Sequence, residues 1–317
     1  MKIAFCGVWH VHAWEYLQAA KEYAEVAGVY ESDTELRHSF CTQNGLREFN
    51  SFEELLNSDA DSVIVTSATS RHAEYIIKLC EAGKNIFTEK VLALSVEDCE
   101  KIREAVEKSG VKFVISLFWK YDANIRTVKA IADSGELGRI NYFRFRNCHN
   151  GSLCNAPFRR WLPPHFYNKE ECGGGAMMDL GAHGMYLTDW FLGMPHSFQS
   201  LMGFCYKDAV EDNAVTVMGY ENGAIAVNEA SFVANCCPTA LEIGGEHGYV
   251  RYRKGDGIFK ASVSTEYKWQ TVEPLEKLPK PIEQFLTGNI LDGCGIEEAI
   301  RLTKMMCEAY SHADKDK

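Results

Sequence analysis

Short apolar runs alternate with amphipathic stretches through the first 120 residues. The runs Lys2–Cys6, Glu25–Tyr30, Ser62–Thr66, Asn85–Thr88 and Val111–Leu117 are strand-length and rich in Val, Ile and Phe. Between them, apolar positions recur at helical spacing over His12–Tyr23, Thr34–Gln43, Phe52–Asn57, Arg71–Ala82 and Val96–Ser109. Gly83 follows the last apolar position of one such stretch, as a C-terminal cap does. Strand–helix alternation builds parallel sheets through right-handed crossovers. A doubly wound α/β domain is therefore expected over residues 1–120.

The period then changes. After a helix at Tyr121–Ser134, strand patterns follow at Ile140–Arg146, Ser197–Phe204, Ala214–Tyr220, Ala224–Ser231, Ala240–Ile243, Gly248–Arg253, Ile258–Ser264 and Tyr267–Val272. Most are joined by short turn-like connections such as Glu221-Asn222-Gly223, which favours antiparallel pairing. One helix, Ala176–Leu192, interrupts them, and another, Ile296–Ala309, precedes a frayed tail at Asp314–Lys317. Residues 121–317 thus read as a second domain of α+β type, and no linker-like composition marks the boundary.

Composition narrows the classes of function. A formal net charge of −11 argues against a nucleic-acid partner, whose phosphates demand a basic face. The longest apolar stretches, such as Ser62–Ala68 and Val111–Phe118, are far too short to span a bilayer. The first residues run directly into a strand, so no signal peptide is expected. None of the 12 cysteines forms a C-x-x-C pair, so reduced, structural thiols in a cytoplasmic protein are expected. The His and Cys residues around Cys148–Cys172 show no recognised ligand spacing, and no metal is expected.

Chemistry enters at Cys6-Gly7-Val8-Trp9-His10-Val11-His12, where the first strand meets the first helix. A dinucleotide's pyrophosphate binds at this place in a doubly wound domain, because the helix N-terminus offers free N–H groups and a positive dipole end. Only the first glycine of G-x-G-x-x-G is kept; Trp9 and His12 stand at the other two. Glu31 ends the second strand 24 residues after Gly7, where a carboxylate accepts bonds from the adenosine ribose. Asp33 adds negative charge that would repel a 2′-phosphate, so NAD is expected over NADP. His10 lies in the same cofactor loop, although its side chain, like those of His38 and His247, reads as structural.

Four further stretches carry a resemblance. Glu81-Ala82-Gly83-Lys84-Asn85-Ile86-Phe87-Thr88-Glu89-Lys90, Thr66–His72, Ile131-Ala132-Asp133-Ser134-Gly135-Glu136-Leu137-Gly138-Arg139-Ile140 and Gly173-Gly174-Gly175-Ala176-Met177-Met178-Asp179-Leu180-Gly181-Ala182-His183 are similar to motifs of the glucose–fructose oxidoreductase/inositol dehydrogenase (Gfo/Idh/MocA) family. The resemblance is clear over roughly residues 1–205. It implies a Rossmann-like domain, an open antiparallel sheet that serves as an interface in dimers or tetramers, and a nicotinamide lying between the domains. It adds Thr66, Ser67, His72, Glu89 and Lys90 to the expected cofactor contacts. Where the family has proline after Glu-Lys, this chain has Val91, and a trans peptide there is expected because a non-proline cis bond costs about 2.5–4 kcal/mol.

By the same resemblance, Lys90, Asp179 and His183 are the expected catalytic residues. Asp179 and His183 lie four positions apart on one helix face. By itself that spacing also fits a satisfied core histidine beside a helix-start aspartate. Oxidising a carbinol needs a base for the hydroxyl proton, and histidine titrates near neutrality. Lys90 would polarise the reacting hydroxyl, with Asp179 orienting the imidazole or contacting substrate. Lys120, Tyr121, Arg160 and Trp161, with Asn124, His149, Arg159, His165 and Tyr167 around them, supply donors and aromatic faces suited to a polyhydroxylated ring. The implied reaction is hydride transfer between NAD and a secondary hydroxyl of a sugar, sugar derivative or cyclitol. Two alternatives share these residues: a redox-neutral lyase, glycosidase or epimerase that uses NAD transiently, and a non-catalytic nucleotide-binding sensor.

Overall fold

The computed structural model describes residues 1–313. The frayed tail expected at Asp314–Lys317 lies outside the described residues. The chain divides into two compact units, Met1–Leu117 with Pro279–Thr303, and Phe118–Leu278 with the stretch from Lys304 onward.

The first unit runs β1 (Lys2–Cys6), α1 (Ala13–Tyr23), β2 (Glu25–Tyr30), α2 (Thr34–Asn44), α3 (Phe52–Leu56), β3 (Ser62–Val65), α4 (His72–Glu81), β4 (Asn85–Thr88), α5 (Val96–Ser109) and β5 (Phe113–Ile115). Its five strands are parallel in the order β2-β1-β3-β4-β5, with Ile3, Phe5, Ile64, Ile86 and Phe87 fully buried. The order reverses at β1, because the chain steps to β2 on one side and returns to β3 on the other. Ligands of open parallel sheets bind beyond the strand ends at such a switch point. The loops after β1 and β3 meet there: Thr66 N–H donates to Cys6 O, and His10 N–H donates to Thr66 O, both at 3.0 Å.

Local chemistry explains the helix ends. Asp33 Oδ1 accepts the N–H groups of Glu35 and Leu36 at 3.0 Å each, capping α2. Such a cap is worth about 1 kcal/mol. Ser95 caps α5 in the same way, bonding Asp98 N–H at 3.1 Å. Asp33 therefore has a structural task besides the negative charge read from the sequence.

The second unit contains α6 (Ala123–Asp133), β6 (Ile140–Cys148), α7 (Lys169–Cys172), a π-helical turn (Met177–Gly181), α8 (Ala182–Leu192), β7 (Ser197–Gly203), β8 (Asn213–Gly219), β9 (Ile225–Ser231), β10 (Ala240–Gly245), β11 (Gly248–Arg253), β12 (Gly257–Ser262) and β13 (Gln270–Val272). The eight strands are ordered β13-β12-β11-β10-β6-β9-β8-β7. All pairs are antiparallel except β6 with β9. Period-two alternation sends Phe143, Phe145, Thr216, Met218, Ala226 and Asn228 to a buried face, against which the π-helical turn and α8 pack. On the other face Leu201, Val217 and Ile225 remain 59%, 41% and 48% exposed.

The chain then returns to the first unit through α9 (Pro281–Thr287) and the start of α10 (Ile296–Ser311). Pro281 occupies the first turn of α9, where its missing N–H costs nothing. Phe285 of this helix is buried, with its ring centroid 5.8 Å from that of Phe87. A single cut near residue 120 does not anticipate this return, nor does the pattern of residues 273–295 announce the helix.

Candidate functional site

In the first unit, backbone geometry builds a cradle at the switch point. Gly7 has φ +91°, and a Cβ there would lie 2.2 Å from Ser67 N, so no other residue fits. Thr66 Oγ1 donates to Gly7 O at 2.6 Å and locks the two loops together. Glu31 lies just past β2 and is buried; Oε2 accepts Val8 N–H at 2.8 Å, while Oε1 accepts Ser32 Oγ–H at 2.9 Å and Asp33 N–H at 3.2 Å. Ser67 Oγ is buried and has no hydrogen-bond partner among the described residues. A buried unpartnered hydroxyl costs roughly 1–3 kcal/mol unless a ligand meets it. The side-chain-free cradle, the orphaned hydroxyl and the acid at the end of β2 fit a dinucleotide's diphosphate and ribose.

Beside the cradle, side chains from the loop after β1, from α1 and from the end of β4 converge. His12 Nδ1 lies 2.8 Å from Glu89 Oε1, and His10 Nδ1 lies 3.9 Å from the same oxygen. Tyr16 donates its hydroxyl to Glu89 and lies 2.7 Å from Ser116 Oγ. Burial opposes ionisation of Glu89, but the charges of His10, His12 and Lys90 outweigh it and hold the carboxyl far below its usual range. Burial pushes the Tyr16 phenol well above its ordinary value, with Glu89 adding to the effect, so Tyr16 acts as a neutral donor. Lys90 is buried, and its N–H donates to Glu89 Oε2 at 3.1 Å. The Lys90–Val91 peptide is cis, which corrects the trans expectation. His72 is buried between Leu92 O at 3.2 Å and Ser67 O at 3.1 Å, so its ring ties two loops together, and burial lowers its basicity.

In the second unit, the glycine-rich motif opens the helix that carries Asp179 and His183. A Cβ at Gly174 would meet Tyr310 Oη at 2.0 Å, and one at Gly175 would meet Glu211 O at 1.9 Å. The buried Glu211 Oε1 accepts N–H of Gly175 at 2.9 Å, N–H of Met177 at 3.0 Å and the Tyr310 hydroxyl at 2.7 Å, thereby capping the helix start. Burial raises the Glu211 carboxyl above its ordinary value even though these donors favour its charged form. Asp179 sits inside the π-helical turn and His183 directly follows it on α8. Asn228 Nδ2 donates to Gly181 O at 2.7 Å, which satisfies a carbonyl of that turn. His183 is buried; its Nδ1 lies 3.0 Å from Tyr186 Oη, and its ring centroid is 4.9 Å from that of Phe118.

Residues 1–117 match the family model described as "Oxidoreductase family, NAD-binding Rossmann fold", and residues 125–251 match that described as "GFO/IDH/MocA C-terminal domain". The chain belongs to the Gfo/Idh/MocA family. Among curated relatives it is 25% identical over 236 residues to 1,5-anhydro-D-fructose reductase of Ensifer adhaerens, a match covering 71% of this chain and 67% of that protein. It is 29% identical over 186 residues to scyllo-inositol 2-dehydrogenase (NAD(+)) of Bacillus subtilis, covering 57% of this chain and 51% of the relative. That second match spans about half the relative's length. The fold resembles that of the WlbA dehydrogenase from Bordetella pertussis, solved in complex with NADH and UDP-GlcNAcA, with a TM-score of 0.77, 19% identity and coverage of 98% and 95% of the two chains.

The expected substrate contacts of this family member fall in the second unit. Lys120 and Tyr121 belong to a short 3-10 turn, Phe118–Tyr121, that packs against α8 beside His183; Tyr121 is buried, and Lys120 Nζ lies 5.7 Å from the Trp190 ring. Arg160 forms a two-pronged pair with Asp208 at 3.1 and 2.8 Å and stacks 4.3 Å over Tyr167. Trp161 is exposed and donates Nε1–H to Asn150 at 3.1 Å, while its ring centroid lies 4.8 Å from that of His149. Trp9 is buried in the cofactor loop. Sequence reasoning missed Tyr16, Ser116, Tyr186, Glu211 and Asn228. Tyr186 and Tyr16 carried local signals, the i+3 spacing from His183 and the i+4 spacing from His12.

Proposed function

We propose that the chain is an NAD(H)-dependent oxidoreductase acting on a secondary hydroxyl of a sugar, sugar derivative or cyclitol. The observation that carries this reading is the cradle formed by Gly7 and the orphaned Ser67 hydroxyl, with the Glu31 carboxylate at the end of the neighbouring strand. A carboxylate in that place suits a free ribose diol and repels a 2′-phosphate, which favours NAD over NADP. When bound, a nicotinamide dinucleotide supplies the hydride acceptor. By the family motifs, His183 is assigned the hydroxyl proton, with Asp179 orienting the imidazole or binding substrate, and Lys90 is assigned a polarising role toward the reacting hydroxyl. In the reverse direction the same imidazole returns the proton. The names of the two curated relatives support a polyol-like substrate. The exposed apolar positions Leu201, Val217 and Ile225 support self-association through the uncovered sheet face, and the free-thiol usage supports a cytoplasmic setting.

A screen of sugars and cyclitols with NAD⁺ and NADP⁺, read by absorbance of the reduced cofactor, tests the reading together with direct nucleotide titration. Turnover with NAD⁺ is expected, and His183→Ala or Lys90→Met should lower it by roughly 10²- to 10⁴-fold while nucleotide still binds. A chain that binds neither nucleotide defeats the proposal. Cofactor that survives purification and is never released in reduced form would assign the redox-neutral chemistry instead.

A further inference from the structure

We infer that His10, His12 and Glu89 form a binding site for one divalent first-row transition ion, of the Zn²⁺ type, with a coordination position left open. The three residues come from the loop after β1 and the end of β4, and each offers one ligand atom within 4.8 Å of the other two. Around an ion with bonds of about 2.1 Å, tetrahedral ligand atoms stand roughly 3.4 Å apart. The 2.8 Å separation from His12 Nδ1 to Glu89 Oε1 and the 3.9 Å separation from His10 Nδ1 to the same oxygen bracket that value.

The donor types select the ion. Two imidazoles and one carboxylate suit zinc, iron, cobalt or manganese better than magnesium or calcium, which prefer all-oxygen shells. His10 Nδ1 accepts the His12 backbone N–H at 3.2 Å, which marks that nitrogen as the unprotonated one of the ring; a bound ion would take this lone pair in place of the N–H. The surroundings also resemble a metal's supporting shell. Tyr16 donates to the Glu89 oxygen shared by both histidines, and Ser116 Oγ stands 2.7 Å from Tyr16 Oη. Hydrogen bonds of this kind fix a ligating carboxylate and tune its affinity. His10 and Glu89 are nearly sealed from solvent, whereas the His12 side chain is 28% exposed, which gives the ion an entry side.

Three protein ligands leave a fourth position for water or for a hydroxyl oxygen, which the ion would polarise. That use of the open position rests on the oxidoreductase reading; the ion site itself does not. No C-x-x-C or long-range ligand pattern announces it, because Glu89 lies 77 residues after His12.

The test uses the full chain, stripped of metal by chelation and free of nucleotide. Titration with Zn²⁺ by calorimetry, and with Co²⁺ by visible absorption, should give one ion per chain. His10→Ala and His12→Ala should each lose that binding while melting like the metal-free parent, and Tyr16→Phe should weaken it roughly 10- to 100-fold. X-ray absorption of the zinc-loaded parent provides a measurement that needs no variant: two imidazole shells and no sulfur are expected. Parent chain that takes up no ion, uptake unchanged in a His10→Ala/His12→Ala double variant, or a sulfur shell near about 2.3 Å would overturn the proposal. Nucleotide binding measured on the same sample would stand or fall separately.

Discussion

The hydroxyl of Tyr186 stands 3.0 Å from Nδ1 of His183 and accepts the backbone N–H of Trp119 at 3.2 Å. A phenol held at both ends fixes the plane of the imidazole it faces. Tyr186→Phe removes a hydrogen bond worth about 1 kcal/mol. With His183 as acid/base, kcat should fall roughly fivefold to tenfold, with KM and nucleotide affinity little changed. The pH profile of kcat should also move. An unchanged profile with only a lower Tm would assign Tyr186 to packing alone.

Gly7 and Gly45 separate two costs of adding a methyl group. Both have positive φ, +91° and +66°, but a Cβ at Gly45 meets nothing within 4 Å, whereas one at Gly7 lies 2.2 Å from Ser67 N. Gly45→Ala should therefore cost only the left-handed backbone strain, about 1–2 kcal/mol, and leave nucleotide binding intact. Gly7→Ala must push apart the loops after β1 and β3. Paired nucleotide titrations and thermal melts should show binding lost in Gly7→Ala alone.

Close approach of α8 to β9 makes a second pair. A Cβ at Gly184 would lie 1.9 Å from Asn228 Oδ1, and Asn228 Nδ2 supports Gly181 O at 2.7 Å. Asn228→Ala removes this bond to a buried carbonyl at the start of α8 and should cost roughly 0.5–1.5 kcal/mol in denaturant unfolding. The double variant Gly184→Ala/Asn228→Ala should be less damaged than the sum of the single variants, since the shorter side chain admits the methyl group.

Glu136 supplies a pH dependence. Burial favours its neutral form, but hydrogen bonds from Ser262, Ser264 and Lys260 outweigh it and lower the carboxyl from 4.5 to about 2. A depressed carboxyl stabilises the fold fully above its unfolded value, and the contribution is lost as pH falls from 4.5 through about 2. Glu136→Gln should cost about 1 kcal/mol at neutral pH, and the difference from the parent should shrink across that acid window in urea unfolding curves.

Glu136 also illustrates what local pattern conveys. It stands in the crossover stretch that carried part of the family resemblance, yet its partners on and just after β12 lie 124 to 128 residues onward. Strand–helix alternation located all five parallel strands and the switch-point loop, because burial of a parallel sheet writes continuous apolar runs into the chain. The glycines before Asp179 were legible as a motif, whereas their reason, the buried Glu211 cap and the ring of Tyr310, was not. The parallel β6–β9 pair and the return of α9 to the first unit left no local trace either.

From its sequence alone, this protein's period of burial, its turn and cap residues, and its family motifs were determined, since each depends on neighbours a few positions away. Tertiary structure decided which distant side chains share an oxygen: His10 and His12 with Glu89, and Tyr310 with Glu211. Those encounters depend on how the strands are ordered and which loops they bring together, a property of the packed sheet that no window of residues contains.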